Sequence, residues 1–391
     1  MKHTPTPPAD VLHVAVVGVG AMGQAHCRTI IEQVPEMRLV GVVDAHVETA
    51  REVGAKHGVA AFASVAELLA AGIADAALVV TPHPLHLPAV EALLQAGLQV
   101  LCEKPLAETV SAADRMLSCA RAANRVLGVM LQRRFEPVFE AALRFVREGG
   151  LGELRRSHLV LPDFRTQRYY EANPWRATWA GEGGGVLVNQ APHLMDLFVL
   201  LGGMPVSVHG HTATCMHDIE VEDRADARLV YANGAVGHLY ASTNEPGLHE
   251  QIELVATHGS LTYRRGQLEC QRFEMDLRDL SATSKEVWAN PALGDVTPTY
   301  ETMPENRLQG LLMGNFARHI LRGEPLCCDA ETGKDSLELA NAIMLSSHLD
   351  APVMLPVPRA DYDALLAQRR ATSVPRKRVV SAARVTDPKL I

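Results

Sequence analysis

Near the middle of the chain, the segment Gly183-Gly184-Gly185-Val186-Leu187-Val188-Asn189-Gln190-Ala191-Pro192-His193-Leu194-Met195-Asp196 brings together side chains that can move protons and order hydroxyls. Asn189, His193 and Asp196 fall at i, i+4 and i+7, a spacing that predicts one shared face of a helix. Leu194, Leu197, Phe198 and Leu201 form the apolar stripe that would anchor that helix. A polar trio beside a packed stripe is either a solvated face or the wall of a cleft. The glycines just before it leave room for a ligand to approach the backbone, which favours the cleft. An imidazole takes up a proton near neutral pH, whereas an asparagine can only donate and accept hydrogen bonds. Asp196 could orient His193 or simply hold the helix. Directly upstream, Phe164, Tyr169, Tyr170, Trp175 and Trp179 are interleaved with Arg165, Arg168 and Arg176. Flat rings pack against the apolar face of a sugar or cyclic diol, and arginines bind carboxylates or several hydroxyls. We expect Trp175, Arg176, Arg165, Tyr169 and Asn189 to contact substrate.

The elements that could position a second reactant lie in the first third. Val11 to Val17 is an apolar run ending in Gly18-Val19-Gly20-Ala21-Met22-Gly23, with a helical stretch beyond it to Val34. Further strand-like runs are Leu39–Val43, Ala76–Val80, Leu98–Cys102 and Val126–Leu131. Helical segments separate them, one with Val90, Leu93 and Leu94 at i, i+3, i+4. Strands apolar along their whole length, alternating with helices, predict a doubly wound parallel sheet covered on both faces. In such a fold Gly18 permits the tight turn, Gly20 lets the backbone approach a pyrophosphate, and Gly23 allows close helix packing. The N–H groups near Ala21 and Met22 then face the phosphates. Asp44 closes the next strand about 20 residues on, where its carboxylate can accept from an adenosine ribose. No Arg or Lys precedes Arg51 to neutralise a 2′-phosphate, so NAD is favoured over NADP.

The 391 residues are 47% hydrophobic and 21% charged, with a formal net charge of -8. Two domains are expected at that length. A mildly acidic surface attracts neither nucleic acid nor an anionic membrane. No apolar run reaches the roughly 18–20 residues that span a bilayer. The start of the chain, Met1 to Pro8, has no apolar signal core, and a cytoplasmic protein is expected. The seven cysteines include no CxxC, so neither a disulfide framework nor a zinc site is read, and the vicinal Cys327-Cys328 pair suggests packing. His209 and His211 would share a strand face, but no carboxylate or thiol stands at supporting spacing, and no metal is expected.

Thr81-Pro82-His83-Pro84-Leu85-His86 and Glu103-Lys104-Pro105-Leu106, followed by the Gly183–Asp196 segment, resemble the glucose–fructose oxidoreductase / inositol dehydrogenase / MocA family over nearly the whole chain. The resemblance implies a Rossmann domain and then an α/β domain with a large open, mostly antiparallel sheet, often an interface for dimers or tetramers. It makes Lys104 a catalytic lysine beside the nicotinamide and His193 the general acid/base. It adds Thr81, Pro82, His86 and Glu103 to the cofactor residues. Where inositol dehydrogenase-like members carry an aspartate, this chain has Asn189, which would orient the substrate hydroxyl. A cationic Lys104 would stabilise the developing alkoxide.

From Leu154 onward strand-like runs recur at Arg155–Leu161, Val206–Thr214, Ala225–Tyr231, Ala235–Ser242 and Glu250–Ala256, with a hairpin signal at Ala232-Asn233-Gly234. A long helix is predicted from about Asn306 to Leu321, and Asp276 to Pro304 reads as a long excursion. The expected division is a Rossmann domain over 1–132, a substrate and oligomerisation domain over 133–370, and a basic tail over 371–391. The expected activity is NAD-dependent hydride transfer from a secondary hydroxyl of a sugar, glycoside or cyclitol. The alternatives are a phthalate-type cis-dihydrodiol dehydrogenase and a catalytically silent, dinucleotide-binding regulator. A homodimer or homotetramer through the open sheet is expected.

Overall fold

The computed structural model describes residues 11–246 and 250–374. Strands β1 (Leu12–Val17), β2 (Met37–Val43), β3 (Ala60–Phe62), β4 (Ala76–Val79), β5 (Gln99–Cys102) and β6 (Leu127–Val129) form a six-stranded parallel sheet. Helices α1 (Ala21–Gln33), α2 (Val47–His57), α3 (Val65–Ala71), α4 (His86–Gln95) and α5 (Val110–Ala123) connect them. The order β3-β2-β1-β4-β5-β6 reverses direction between β1 and β4, the arrangement of a dinucleotide-binding Rossmann sheet. Its strands are apolar because both faces are covered: Val14, Val16, Val42, Leu78, Val100 and Leu101 are all buried. Register places Val17 beside both Val43 and Val79, and Val79 beside Cys102. The residues that follow these strands therefore emerge side by side at one sheet edge.

A second unit begins with α6 (Pro137–Arg147). It continues through β7 (Leu154–Pro162), α7 (Gln167–Glu171), α8 (Val186–Asn189) and α9 (Pro192–Gly202). Strands β8 (Ser207–Ala213), β9 (Arg224–Val230), β10 (Val236–Ser242), β11 (Gln251–Ala256), β12 (Gly259–Arg264) and β13 (Gln267–Phe273) follow. Then come α10 (Leu277–Thr283) and β14 (Leu293–Asp295); after α11 (Leu308–Arg322), which groups with the first unit, the chain re-enters the second within α12 (Ala330–Leu349) and ends in β15 (Val353–Met354) and α13 (Arg359–Ala371). Nine strands join in the order β14-β13-β12-β11-β7-β10-β9-β8-β15, antiparallel except where β10 meets β7. Alternation decides its faces. Along β8 and β9, Val208, Ala225, Ala227 and Leu229 are buried, while His209, His211, Asp226 and Arg228 are exposed. Gly234 makes the β9–β10 turn at φ 84°, donating its N–H to the Tyr231 carbonyl.

Two features depart from the sequence reading. Residues Pro304–Lys334 group with the first unit, whereas a single boundary between 132 and 133 assigns them to the second domain. The cause is α11: Leu308, Leu312 and Phe316 are buried, the helix packs on α1, and Arg318 pairs with Glu36 at 2.9 Å. The excursion over 276–304 also has structure of its own, the helix α10 and the edge strand β14. Just before the basic tail, Arg369 belongs to α13 and stacks over Trp179 at 5.6 Å, while residues 375–391 of the tail lie outside the described residues.

Candidate active site

In the first unit, the chain turns sharply off β1 because Gly18 takes φ +91°. A Cβ there would lie 2.7 Å from the Val80 carbonyl oxygen, and one on Gly23 would lie 2.0 Å from the Gly18 oxygen. Gly20 starts α1 with no side-chain cap, so the N–H groups around Ala21 and Met22 stay available to an anion. Asp44 braces this turn: its Oδ2 accepts from Val19 N (3.0 Å) and its Oδ1 from His46 N (2.9 Å). A carboxylate has further lone pairs, so these bonds leave it able to accept from a ribose. Thr81 and Pro82 leave the end of β4, and the buried Thr81 hydroxyl has no protein partner among the described residues. A glycine cradle that no Cβ could share, an uncapped helix start, a carboxylate and an unspent hydroxyl at one sheet edge fit a dinucleotide.

Glu103 and Lys104 follow β5 at the same edge. The fully buried His26 of α1 donates to Glu103 Oε1 at 2.7 Å, and Glu103 Oε2 accepts the Lys104 N–H at 2.9 Å. Burial alone would raise the Glu103 pKa. The hydrogen bond and charge of His26, with Lys104 beside it, outweigh burial and hold it at about 2. Glu103 is thus an anion that fixes the lysine turn. His86, expected among the cofactor residues, is instead fully buried, with its ring nitrogens facing the carbonyl oxygens of Thr81 (2.8 Å) and Pro105 (3.0 Å). It ties the two turns together and presents nothing to a ligand.

In the second unit, Asn189 ends α8, and Pro192 starts a separate helix, α9. The single helical face expected for Asn189, His193 and Asp196 is therefore divided, because Pro192 has no N–H with which to continue the first helix. Asp196 is buried at 2% exposure and faces the packing, while His193 is half-buried. The stripe Leu194, Leu197, Phe198 and Leu201 is buried as expected. Around this segment Arg176 stacks over Tyr169 at 4.0 Å and lies 5.7 Å from the Trp175 ring, and Arg165 lies 5.2 Å from Tyr169. Gln190 donates to the Tyr169 hydroxyl at 3.2 Å. The structure thus gathers Asn189, Tyr169, Trp175, Arg176 and Arg165 in this unit, with Lys104 and Glu103 in the other. Arg165 is also paired with Asp163 at 2.8 Å. Tyr170 is buried with Ala177, Ile219 and Val221 and is structural, and the partly buried Tyr169 and Trp179 both pack on the same cluster.

Several organising residues escaped the sequence reading. Glu182, just before the glycines, accepts a hydrogen bond from Asn189 Nδ2. Asp223 holds the His217 ring (3.0 Å) while the other ring nitrogen of His217 faces the Arg165 carbonyl at 2.8 Å, anchoring the aromatic segment. Glu222 Oε1 accepts from Gly185 N (2.8 Å) and Leu187 N (3.1 Å), and a Cβ on Gly185 would lie 1.9 Å from the Glu222 carbonyl oxygen. Glu182 stands alone among small residues, whereas Glu222 and Asp223 lie in the charged run Asp218 to Asp226, where nothing in the sequence marks them out from their neighbours.

Burial pushes the Glu222 carboxyl up to about 7, against its two N–H donors and with the Glu182 charge adding to the rise. A raised carboxyl pKa gives the fold stability that is complete below the unfolded value near 4.5 and is lost as pH rises through about 7. The loss amounts to something on the order of 3 kcal/mol. Melting temperatures measured from about pH 5 to pH 8 should fall more steeply for wild type than for Glu222→Gln, which keeps the acceptor oxygen but cannot ionise. Parallel profiles would disprove the assignment.

Residues 12–131 match the model of an oxidoreductase family with an NAD-binding Rossmann fold, and residues 139–262 match the GFO/IDH/MocA C-terminal domain. UDP-N-acetylglucosamine 3-dehydrogenase of Acidithiobacillus ferrooxidans is 31% identical over 247 residues, covering 62% of this chain and 71% of that protein. The scyllo-inositol 2-dehydrogenase (NAD(+)) of Bacillus subtilis is 25% identical over 88% of this chain and 97% of its own length. Among solved structures, the WlbA dehydrogenase of Bordetella pertussis, in complex with NADH and UDP-GlcNAcA, superposes with TM-score 0.75 at 26% identity, over 89% of this chain and all of its own. The chain belongs to the GFO/IDH/MocA oxidoreductase family and carries its NAD-binding Rossmann domain.

Proposed function

We propose that the protein oxidises a secondary hydroxyl of a sugar, glycoside or cyclitol with NAD. The observation that carries this reading is the pairing, in one chain, of a Rossmann edge bearing Asp44 and Lys104 with a polar segment bearing Asn189 and His193 amid stacked rings and arginines. Relatives named for a UDP-linked sugar and an inositol support the substrate class. NAD, when bound, supplies the hydride acceptor. The N–H groups at the start of α1 hold its phosphates and Asp44 its ribose, which favours NAD over NADP. His193 accepts the hydroxyl proton as the carbon–hydrogen bond breaks. Lys104 stabilises the developing alkoxide with its charge, and Asn189, Tyr169, Trp175, Arg176 and Arg165 orient the polyol.

We further place the protein in the cytoplasm, a reading supported by its seven free thiols. It assembles as a homodimer or homotetramer through the open sheet. The row Glu253, His158, His238, Arg228 and His209, each the direct cross-strand neighbour of the next, with the first two half-buried and the other three exposed, offers a polar face to a second copy.

The test is direct. Purified protein is incubated with NAD and a panel of monosaccharides, glycosides, inositols and carboxylated dihydrodiols, and reduced nicotinamide is followed by absorbance. Turnover of a sugar, glycoside or inositol is the expected result. Turnover of dihydrodiols alone would move the substrate, and firm NAD binding without turnover of anything would mark a regulator. A mass measurement of the isolated protein shows whether cofactor stays bound.

A further inference from the structure

Asn189 occupies the position where the resemblance led us to look for an aspartate, and a carboxylate is found seven residues upstream, on Glu182. That side chain is buried at 1% exposure. One of its oxygens, Oε1, accepts from Asn189 Nδ2 at the end of α8. The other, Oε2, accepts the Ala177 N–H at 2.6 Å. Ala177 sits at φ +54°, a left-handed backbone that an alanine seldom adopts, directly after Trp175 and Arg176. Glu182 N also donates to the Thr178 carbonyl at 2.9 Å, and the Thr178 hydroxyl to the Trp175 carbonyl at 2.7 Å. A single buried side chain thus links both stretches expected to meet the substrate.

We propose that Glu182 is the positioning residue of this site: it fixes the Asn189 amide with its nitrogen inward and its oxygen offered to a substrate hydroxyl, and locks the Trp175-Arg176 turn beside it. The inference rests on the polyol-dehydrogenase reading above. A carboxylate only accepts, so the amide must turn Nδ2 toward it, and the planar amide then carries Oδ1 to the opposite side. Asn189 is thereby a hydrogen-bond acceptor toward the polyol, and because a hydroxyl has a single proton to donate, the one it holds is a neighbour of the reacting hydroxyl, whose proton goes to His193. An aspartate at 189 would set two carboxylates against each other, which accounts for the amide in this chain.

The test uses NAD-loaded protein and has two arms. In the kinetic arm, Glu182→Gln lowers kcat/KM for the substrate identified by the panel about tenfold to a hundredfold, with NAD affinity and melting temperature held. The charge-conserving double variant Glu182→Gln/Asn189→Asp, in which donor and acceptor trade sides, recovers most of what Asn189→Asp alone loses. In the spectroscopic arm, protein labelled with ¹⁵N-asparagine shows a downfield, slowly exchanging side-chain amide, assigned by its loss in Asn189→Ala, that shifts and exchanges faster in Glu182→Gln. Equal kcat/KM in wild type and Glu182→Gln overturns the proposal, as does an Asn189 amide signal indifferent to position 182. Parallel loss of NAD affinity, melting temperature and activity without recovery in the double variant overturns it in favour of a structural role. If wild type turns over nothing on the panel, the functional reading falls by itself, and the amide signal alone decides the positioning.

Discussion

His193→Gln lowers kcat for polyol oxidation by about 10²–10⁴-fold while NAD still binds. Glutamine matches much of the imidazole's hydrogen bonding but cannot take the hydroxyl proton, so the barrier to alkoxide formation returns to that of solvent. The residual rate should climb with pH, because hydroxide then does what the side chain did. Lys104→Met should give a comparable loss for a different reason. It removes the positive charge proposed to stabilise the developing alkoxide, and the residual rate should gain less from hydroxide. NAD affinity is retained in His193→Gln because the glycine turn, Asp44 and Thr81 are all residues of the Rossmann sheet edge. Steady-state rates against pH for both variants, with NAD binding measured by calorimetry, check the pair. A His193→Gln enzyme within about tenfold of wild type at neutral pH would remove histidine from the mechanism.

Gly23→Ala abolishes the stabilisation that NAD gives to the fold. The added methyl would lie 2.0 Å from the Gly18 carbonyl oxygen and 3.0 Å from its carbon, so either α1 or the glycine turn must move. Moving the turn breaks what it organises, the Val19 N–H bond to Asp44 and the Gln24 bond to the Val19 carbonyl. Overpacking of this kind costs about 1–3 kcal/mol, and a ligand that binds only the native turn can no longer offset it. The control is Gly58→Ala at the end of α2. Gly58 also has positive φ, at 67°, but nothing lies within 4 Å of the added methyl. That variant should lose about 1 kcal/mol and keep the full rise of melting temperature with NAD. Thermal melts with and without NAD separate the two, and an unchanged NAD-dependent shift in Gly23→Ala would contradict the cradle.

Much of the fold was legible in residue order because the Rossmann strands are buried on both faces. The runs ending at Val17, Val43, Val79 and Cys102 could be read from uninterrupted apolarity, and their shared level in the sheet puts Gly18, Asp44, Thr81 and Glu103 along one edge. The second sheet was legible as far as β11, through its alternation of buried and exposed residues. It was missed beyond that, where Gln267–Phe273 has only Leu268, Cys270 and Phe273 as apolar residues and the edge strand Leu293–Asp295 is exposed along its length. The short β3, Ala60–Phe62, gave too few residues to show any pattern.

Residue order alone makes legible what depends on residue type and local spacing. The glycine turn and the carboxylate that follows it are read this way, whereas the roles expected of Lys104 and His193 come from the family resemblance. Which group holds which emerges only once the chain is packed. His26 reaches Glu103 across the sheet edge, Glu222 caps the glycine run, α11 returns to the first unit, and Glu182 sets the Asn189 amide. His86, by contrast, was withdrawn from the site into the packing beneath it. The physical reason is common to these cases. A buried polar side chain must find a partner wherever the packed chain supplies one, and the partner's distance in sequence leaves no trace in local pattern.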